Sequence, residues 1–257
     1  SQARRSAGSV GCSGGSVTVL LLRLAGPMQS WGDSSRFTRR DTRMVPSKSG
    51  VLGLLAAADG RRRTEEIEDL AQLSFGVRVD QRGELQRDFQ TAINWDTGTS
   101  MPLSSRYYVA DAVFVAGVEG DTALLEGLSE RIRQPKFPLY LGRRSCPVTD
   151  PVFLGLSEDD LEGALRNEPW AAAAWHRKRQ PIDVRLDLYV DAKPHDHRPV
   201  ETRRDVPLSY NPERREYGWR EVAEAEPVEI HNPDGRVPAP VPAGTDWLAA
   251  AEEAEEA

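Results

Sequence analysis

Val17-Thr-Val-Leu-Leu-Leu-Arg-Leu24 is β-branched and leucine-rich, and it reads as a buried strand. Ala25-Gly-Pro-Met-Gln-Ser-Trp-Gly32 breaks it with glycine and proline. A basic connection, Arg36 to Arg43, follows with Phe37 inside it. After Pro46-Ser-Lys-Ser-Gly50, the run Val51-Leu-Gly-Leu-Leu-Ala-Ala-Ala58 predicts a helix capped by Ser47 or Ser49. Arg61–Arg63 end that helix, and Thr64 is expected to open a second short one to Leu73. Ser74–Asp80 alternates as a strand, with Phe75, Val77 and Val79 on one side.

Asp88–Thr91 belongs to a further strand. The polar Gly, Thr and Ser-rich stretch from Asn94 to Ser105 suggests a protruding hairpin. Tyr107–Ala116 returns as one strand. Asp121–Gln134 carries Leu124, Leu125, Leu128 and Ile132 on a helical face. The order is β, α, β, an insertion, β, α, then Phe137–Leu141. That order predicts an α+β fold, a ferredoxin-like or RRM-type layer with helices on one face of a sheet.

Beyond Asp150 the signals thin. Ser157-Glu-Asp-Asp160 has a capping-box pattern, and Ile182–Val190 alternates as a half-exposed strand. Asp205–Trp219, with its aromatics and prolines, is expected to close a smaller β-rich region. The boundaries read as a disordered leader over 1–16, a main domain over 17–150, the small region over 151–222 and an acidic, disordered tail over 223–257.

A chain of 257 residues can bury a core without staples. Its two cysteines, Cys12 and Cys146, exclude a disulfide framework and fit a reducing, cytoplasmic setting. No apolar run reaches membrane-spanning length, so no membrane association is expected. The net charge of −7 argues against a nucleic-acid partner until it is partitioned. Ala223–Ala257 holds nine acidic residues and one arginine, which leaves 32 basic and 31 acidic residues in the body. Ser1–Lys48 has eight basic residues against two acidic, and Arg131–Arg144 has five against none. Clustered basic charge on a near-neutral body fits local phosphate binding.

Three segments are candidate sites. At Pro46–Gly50, a helix N-terminus offers unpaired N–H groups to an anion and Lys48 adds a charge, although the same residues suit an ordinary capped helix. In Tyr140-Leu-Gly-Arg-Arg-Ser-Cys-Pro147, Gly142 permits close backbone approach, and Arg143 and Arg144 offer planar donors for phosphates. Adjacent loop residues can point apart, so one arginine can bind a ligand while the other holds the fold. The alternative is a solvated turn. In Met28–Gly32, Trp31 could stack on a base and Gln29 could read a base edge, or Trp31 could simply cover the core. His195-Asp-His197 lacks a third ligand nearby, so no metal or other cofactor is expected. No acid–base pair accompanies the basic motifs, so no catalytic residue is assigned.

Together LLLRLAGPMQSWG, PSKSGVLGLLAA, RDFQT and PKFPLYLGRRSCPVTDPVFLG resemble the "Cas five" (CasD) subunits of type I-E CRISPR Cascade complexes, of the RAMP superfamily. The resemblance spans Val17 to Val222. It implies a ferredoxin-like N-terminal domain, a thumb-like β-hairpin insertion over Phe89–Tyr108 and a smaller β-rich C-terminal region. It also implies a non-catalytic subunit that caps the crRNA 5′ handle. Such a subunit contacts a backbone subunit and the large PAM-reading subunit, and meets target DNA through the assembled complex. Carried over residue by residue, the RNA contacts are Gln29, Ser30, Trp31, Ser47, Lys48, Ser49, Arg106, Tyr107, Gly142, Arg143 and Arg144. Arg203 and Arg204 sit in a loosely matching segment. The competing expectation is a metal-independent endoribonuclease acting on repeat RNA, as the equivalent protein does in a sibling type.

Overall fold

The computed structural model describes residues 17–32 and 39–236. In chain order the elements begin β1 (Val17–Ala25), β2 (Met28–Gln29), β3 (Arg39–Arg40), α1 (Lys48–Asp59), α2 (Glu68–Ala71) and β4 (Ser74–Gln81). Then come β5 (Glu84–Gln90), β6 (Ser104–Ala110), β7 (Val113–Asp121), α3 (Thr122–Arg133) and β8 (Phe153–Ser157). The remainder is α4 (Leu161–Asn167), α5 (Ala174–Arg177), β9 (Asp183–Asp191), β10 (Val200–Ser209) and β11 (Glu216–His231). The leader expected over 1–16 lies outside the described residues, as do Arg36 and Phe37.

β1 is buried on both faces because its neighbours on both faces are apolar. It pairs antiparallel with β7 on one side and β8 on the other, and β7 pairs antiparallel with β4. The four strands therefore lie in the order β4-β7-β1-β8. α1 joins β1 to β4 across β7, and α3 joins β7 to β8 across β1, two split β-α-β units interleaved. Leu20, Leu22 and Leu24 pack with Val51, Leu52 and Leu55 of α1 and Leu125 and Leu128 of α3. Val19 and Leu21 point the other way, toward Leu161 and Leu165 of α4. Helices thus cover both faces, not one as the sequence suggested.

The second face is fixed by a buried ion. Arg78 and Asp80, both about fully buried, form a bidentate pair at 2.7 and 2.9 Å. Arg78 also donates to the carbonyls of Leu165, an orphan acceptor in the last turn of α4, and of Glu168 and Pro169 just past it. Asp80 in turn accepts from Ala171 N at 2.6 Å. One charged pair satisfies a helix C-terminus and ties it to the sheet.

The C-terminal strands do not form a lobe apart. β9 pairs with β4, β11 with β9 and β10 with β11, extending one sheet to seven strands. β11 runs to His231, nine residues into the stretch expected to be an acidic tail. Ala223, Ala225 and Val228 are buried there while Glu224, Glu226 and Glu229 are exposed. Pro227 falls where the register with β9 shifts, so its missing N–H breaks no regular ladder. Residues 237–257 of that tail lie outside the described residues.

Three further boundaries are corrected. Tyr107–Ala116 is two strands, since Asp111 at φ 53° turns the chain from β6 in a small sheet to β7 in the large one. Aspartate tolerates that left-handed conformation better than most residues. Thr64 opens no helix; α2 starts at Glu68 after an Ile67 that gives no side-chain cap. Asp160, not Ser157, caps α4 by accepting from Gly163 N. Ser157 instead accepts from Asp159 N.

β5 and β6 pair antiparallel over seven residues each, and Ile93 bridges Ser100 beyond them. They form a hairpin ribbon that issues from β4 and returns into β7. β2 pairs with β6 antiparallel and β3 pairs with it parallel, so the ribbon's base carries the post-strand segment.

Candidate nucleic-acid interface

α1 presents Gly50, Gly53, Ala56 and Ala57 along one side, and these small residues floor a cleft of about 1020 Å³. Gly53 packs closely under Tyr210, since an added Cβ would meet its hydroxyl at 3.3 Å. One wall is the chain from Phe137 to Arg144, which runs back along α1; Phe137 N and Lys136 N donate to Ala57 and Ala58 carbonyls. The other wall comes from the β10–β11 turn, with Tyr210, Arg215 and Tyr217. Seven arginines line the space: Arg40, Arg61, Arg62, Arg63, Arg143, Arg144 and Arg215. Among the described residues its lining includes no aspartate, glutamate or histidine. Such a surface favours a polyanion.

The Gly142 loop stands at one end. Gly142 has φ +87°, and a Cβ there would sit 1.7 Å from the Ser30 carbonyl oxygen. Only glycine lets the loop approach the β1–β2 connection this closely. Ser30 N donates to Leu141 O at 3.0 Å, and Leu141 N donates to Cys146 O at 2.7 Å. Cys146 is buried beneath the loop, and burial pushes its thiol pKa up. The two arginines differ in their surroundings. Arg143 donates to the carbonyls of Tyr107 at 3.1 Å, Arg40 at 2.9 Å and Asp41 at 3.4 Å, and lies 4.9 Å from the Tyr108 ring centre. Arg144 is exposed, with no hydrogen bond or ion pair among the described residues. Arg143 holds the loop, and Arg144 faces the cleft.

The post-strand segment is turned inward. Gln29 is wholly buried; its amide donates to Leu24 O and Ala112 O and accepts from the Trp31 indole at 3.0 Å. No group of Gln29 is left to read a base edge. Trp31 is 1% exposed and packs on Gly50, so it covers the core rather than stacking on a base. Ser30 is buried, its hydroxyl 3.5 Å from Tyr107 O.

The helix start does bind an anion, and the anion is internal. Ser47 caps α1 by accepting from Gly50 N. Lys48 N donates to Asp205 Oδ2 at 2.8 Å, and Lys48 Nζ to Asp191 Oδ2 at 3.1 Å. Arg220 bonds both carboxylates from the far side, and Phe75 N donates to Asp191. Burial opposes the charge on Asp205, but Arg220 outweighs it and holds the carboxyl below its usual range. Two cations and two anions close this buried cluster, so Lys48 is not a free charge for phosphate. Ser49 is buried too, its carbonyl taken by the Tyr210 hydroxyl.

The remaining predicted contacts scatter. Arg106 and Tyr107 lie on β6, half-buried, with Arg39 5.1 Å and Arg87 5.9 Å from the Tyr107 ring centre. Arg106 Nε has no hydrogen-bond partner among the described residues. Arg203 is 7% exposed and paired with Glu201 at 2.7 Å, so it is not a surface contact. Arg204 is exposed, bonded to Tyr217 O and 5.8 Å from the Trp219 ring centre, outside the cleft lining. His195 and His197 are both exposed, and no cluster of three or more metal-ligand side chains occurs among the described residues. Sequence reasoning missed Arg40, Arg61–Arg63 and Arg215 as site residues. The Arg61-Arg62-Arg63 run was itself the available signal.

Comparison with known proteins supplies the family. Residues 19–223 match the family model described as CRISPR-associated protein (Cas_Cas5). The chain is 32% identical over 226 residues to CRISPR system Cascade subunit CasD of Escherichia coli (strain K12), covering 79% of this chain and 94% of that protein. A solved structure described as a Cas protein crystal structure superposes with TM-score 0.65 at 39% identity, covering 86% of this chain and all of that one. A chain of a CRISPR RNA-guided surveillance complex superposes with TM-score 0.66 at 28% identity, covering 93% of this chain and all of its own. The match contains the Gly142 loop and the sheet apart from the start of β1 and the second half of β11, and the chain belongs to the Cas5 family of CRISPR-associated proteins.

Proposed function

We propose that this chain is a non-catalytic, cytoplasmic crRNA-binding subunit of a type I-E CRISPR RNA-guided surveillance complex. Its task is to grip the crRNA 5′ handle. The observation that carries this reading is the cleft whose lining, among the described residues, has seven arginines and no carboxylate or histidine. Arginine suits phosphate because its planar fork donates two bonds at once and stays charged. The relatives support the setting, since one is a Cascade subunit and another sits in an RNA-guided surveillance complex.

The interleaved β-α-β order supports a ferredoxin-like core. The β5–β6 ribbon is read as the thumb. Trp95 is 96% exposed and Ile93 68% at its end, an apolar tip suited to a neighbouring backbone subunit. The large PAM-reading subunit and target DNA are met through the assembly, where guide pairing supplies sequence specificity. Metal-independent cleavage generally needs a paired acid and base. The cleft offers tyrosines and arginines, and the Tyr210 proton is already donated to Ser49 O.

Purification of the full complex tests the reading. The crRNA 5′ end should be protected from nuclease when the chain is present and lose protection when Arg144 is alanine. Incubating the pure chain with repeat RNA, with and without EDTA, should leave the RNA intact. Specific cleavage in either tube would overturn the non-catalytic assignment.

A further inference from the structure

Arg62 and Arg63 lie at the other end of the cleft from the Gly142 loop. Gly60, at φ 85°, ends α1 in the left-handed conformation, and the chain turns there. Arg61 then braces the turn: its guanidinium bonds both oxygens of Asp69 and Nε donates to Asp59 at 2.9 Å. Those contacts hold Arg61 charged and occupy most of its donors. Glu65 N donates to Arg62 O, closing the next turn. Arg62 and Arg63 are exposed, with no side-chain hydrogen bond or ion pair among the described residues. Both line the cleft, whereas the carboxylates of the same segment, Glu65, Glu66, Glu68 and Asp69, do not.

Between this turn and the Gly142 loop runs α1, whose 12 residues span about 18 Å. Phe137, Tyr140, Tyr210 and Tyr217 line the space between, above the small-residue floor. Aromatic rings with flanking arginines suit unpaired bases, whose faces a duplex hides.

We propose that Arg62 and Arg63 form a second phosphate anchor, so that the cleft holds one unpaired RNA strand along α1, gripped at both ends. This rests on the reading that the cleft binds RNA. Arg61 acts as a positioning residue for the pair. A strand long enough to reach both anchors gains the second contact intramolecularly, so affinity rises steeply with length.

The test uses the full chain and fluorescein-labelled oligouridylates of graded length. Arg62→Ala/Arg63→Ala should weaken binding of the longer strands roughly tenfold at low salt and lower the salt slope by about 1.4. Short strands that reach only the Gly142 loop should bind this variant and the parent equally. Arg144→Ala should weaken binding at every length. If Arg144→Ala weakens binding and the double variant does not, the second anchor is wrong while the cleft reading stands. If neither variant changes binding, both fall. Circular dichroism on each variant separates lost binding from lost fold.

Discussion

The Asp205 carboxylate accepts the main-chain N–H of Lys48 at 2.8 Å, placing an anion from β10 at the positive end of α1. The C-terminal strands are thereby tied to the helix that floors the cleft. Asp205→Ala leaves Arg220 and Lys48 buried with one carboxylate between them. It should cost about 3–5 kcal/mol, read by chemical denaturation.

Acid should unfold the protein through the same class of contact. Asp205, Asp69, Asp160 and Glu201 are all held below their ordinary values, the last three chiefly by a bond from Arg61, Gly163 N and Arg203. A depressed carboxylate pKa contributes stability above the unfolded value, 3.8 for aspartate, and loses it as pH falls toward the folded value. Stability should be level above about pH 5 and decline below about pH 4, measured by denaturant midpoints across pH.

Gly142→Ala and Gly127→Ala should move stability in opposite directions. The first forces a Cβ onto the Ser30 carbonyl at a positive φ, so the loop must leave its place. It should lose at least about 1–3 kcal/mol together with RNA affinity. At Gly127, inside α3, an added Cβ meets nothing within 4 Å. That change should stabilise by about 0.5–1 kcal/mol with binding unaltered.

Arg143→Ala and Arg144→Ala should separate folding from binding. Arg143 serves three carbonyls, so its loss should cost about 1–3 kcal/mol as well as affinity. Arg143→Lys should restore little, because an ammonium cannot span the same acceptors. Arg144→Ala should leave the denaturation midpoint unchanged and weaken RNA binding alone.

Sequence showed the core elements because they are local. The Val17–Leu24 run, the Ser47 cap and the alternation of Phe75, Val77 and Val79 each fit within one window. It missed what depends on distant partners. β11 hides its alternation among glutamates and Pro227, and only pairing with β9 makes it a strand. Asp111 breaks an otherwise continuous apolar pattern through a single left-handed residue. At the candidate site, the sequence names residue types but not the directions their side chains take. Gln29, Trp31 and Lys48 suit RNA chemically, yet each has its polar groups met inside the fold. The cleft joins Arg40, Arg62, Arg144 and Arg215, which no spacing rule connects.

The β5–β6 ribbon has a mechanical consequence. Its two strands issue from β4 and β7, which are themselves paired at the middle of the seven-stranded sheet. A partner holding the tip near Trp95 would therefore load two core elements at once. That load would be shared with β9 and β1, which flank the pair in the sheet. Had the ribbon hung from an edge strand, the same tug would peel the sheet open one bond at a time. Its root lets the ribbon serve as a tow bar.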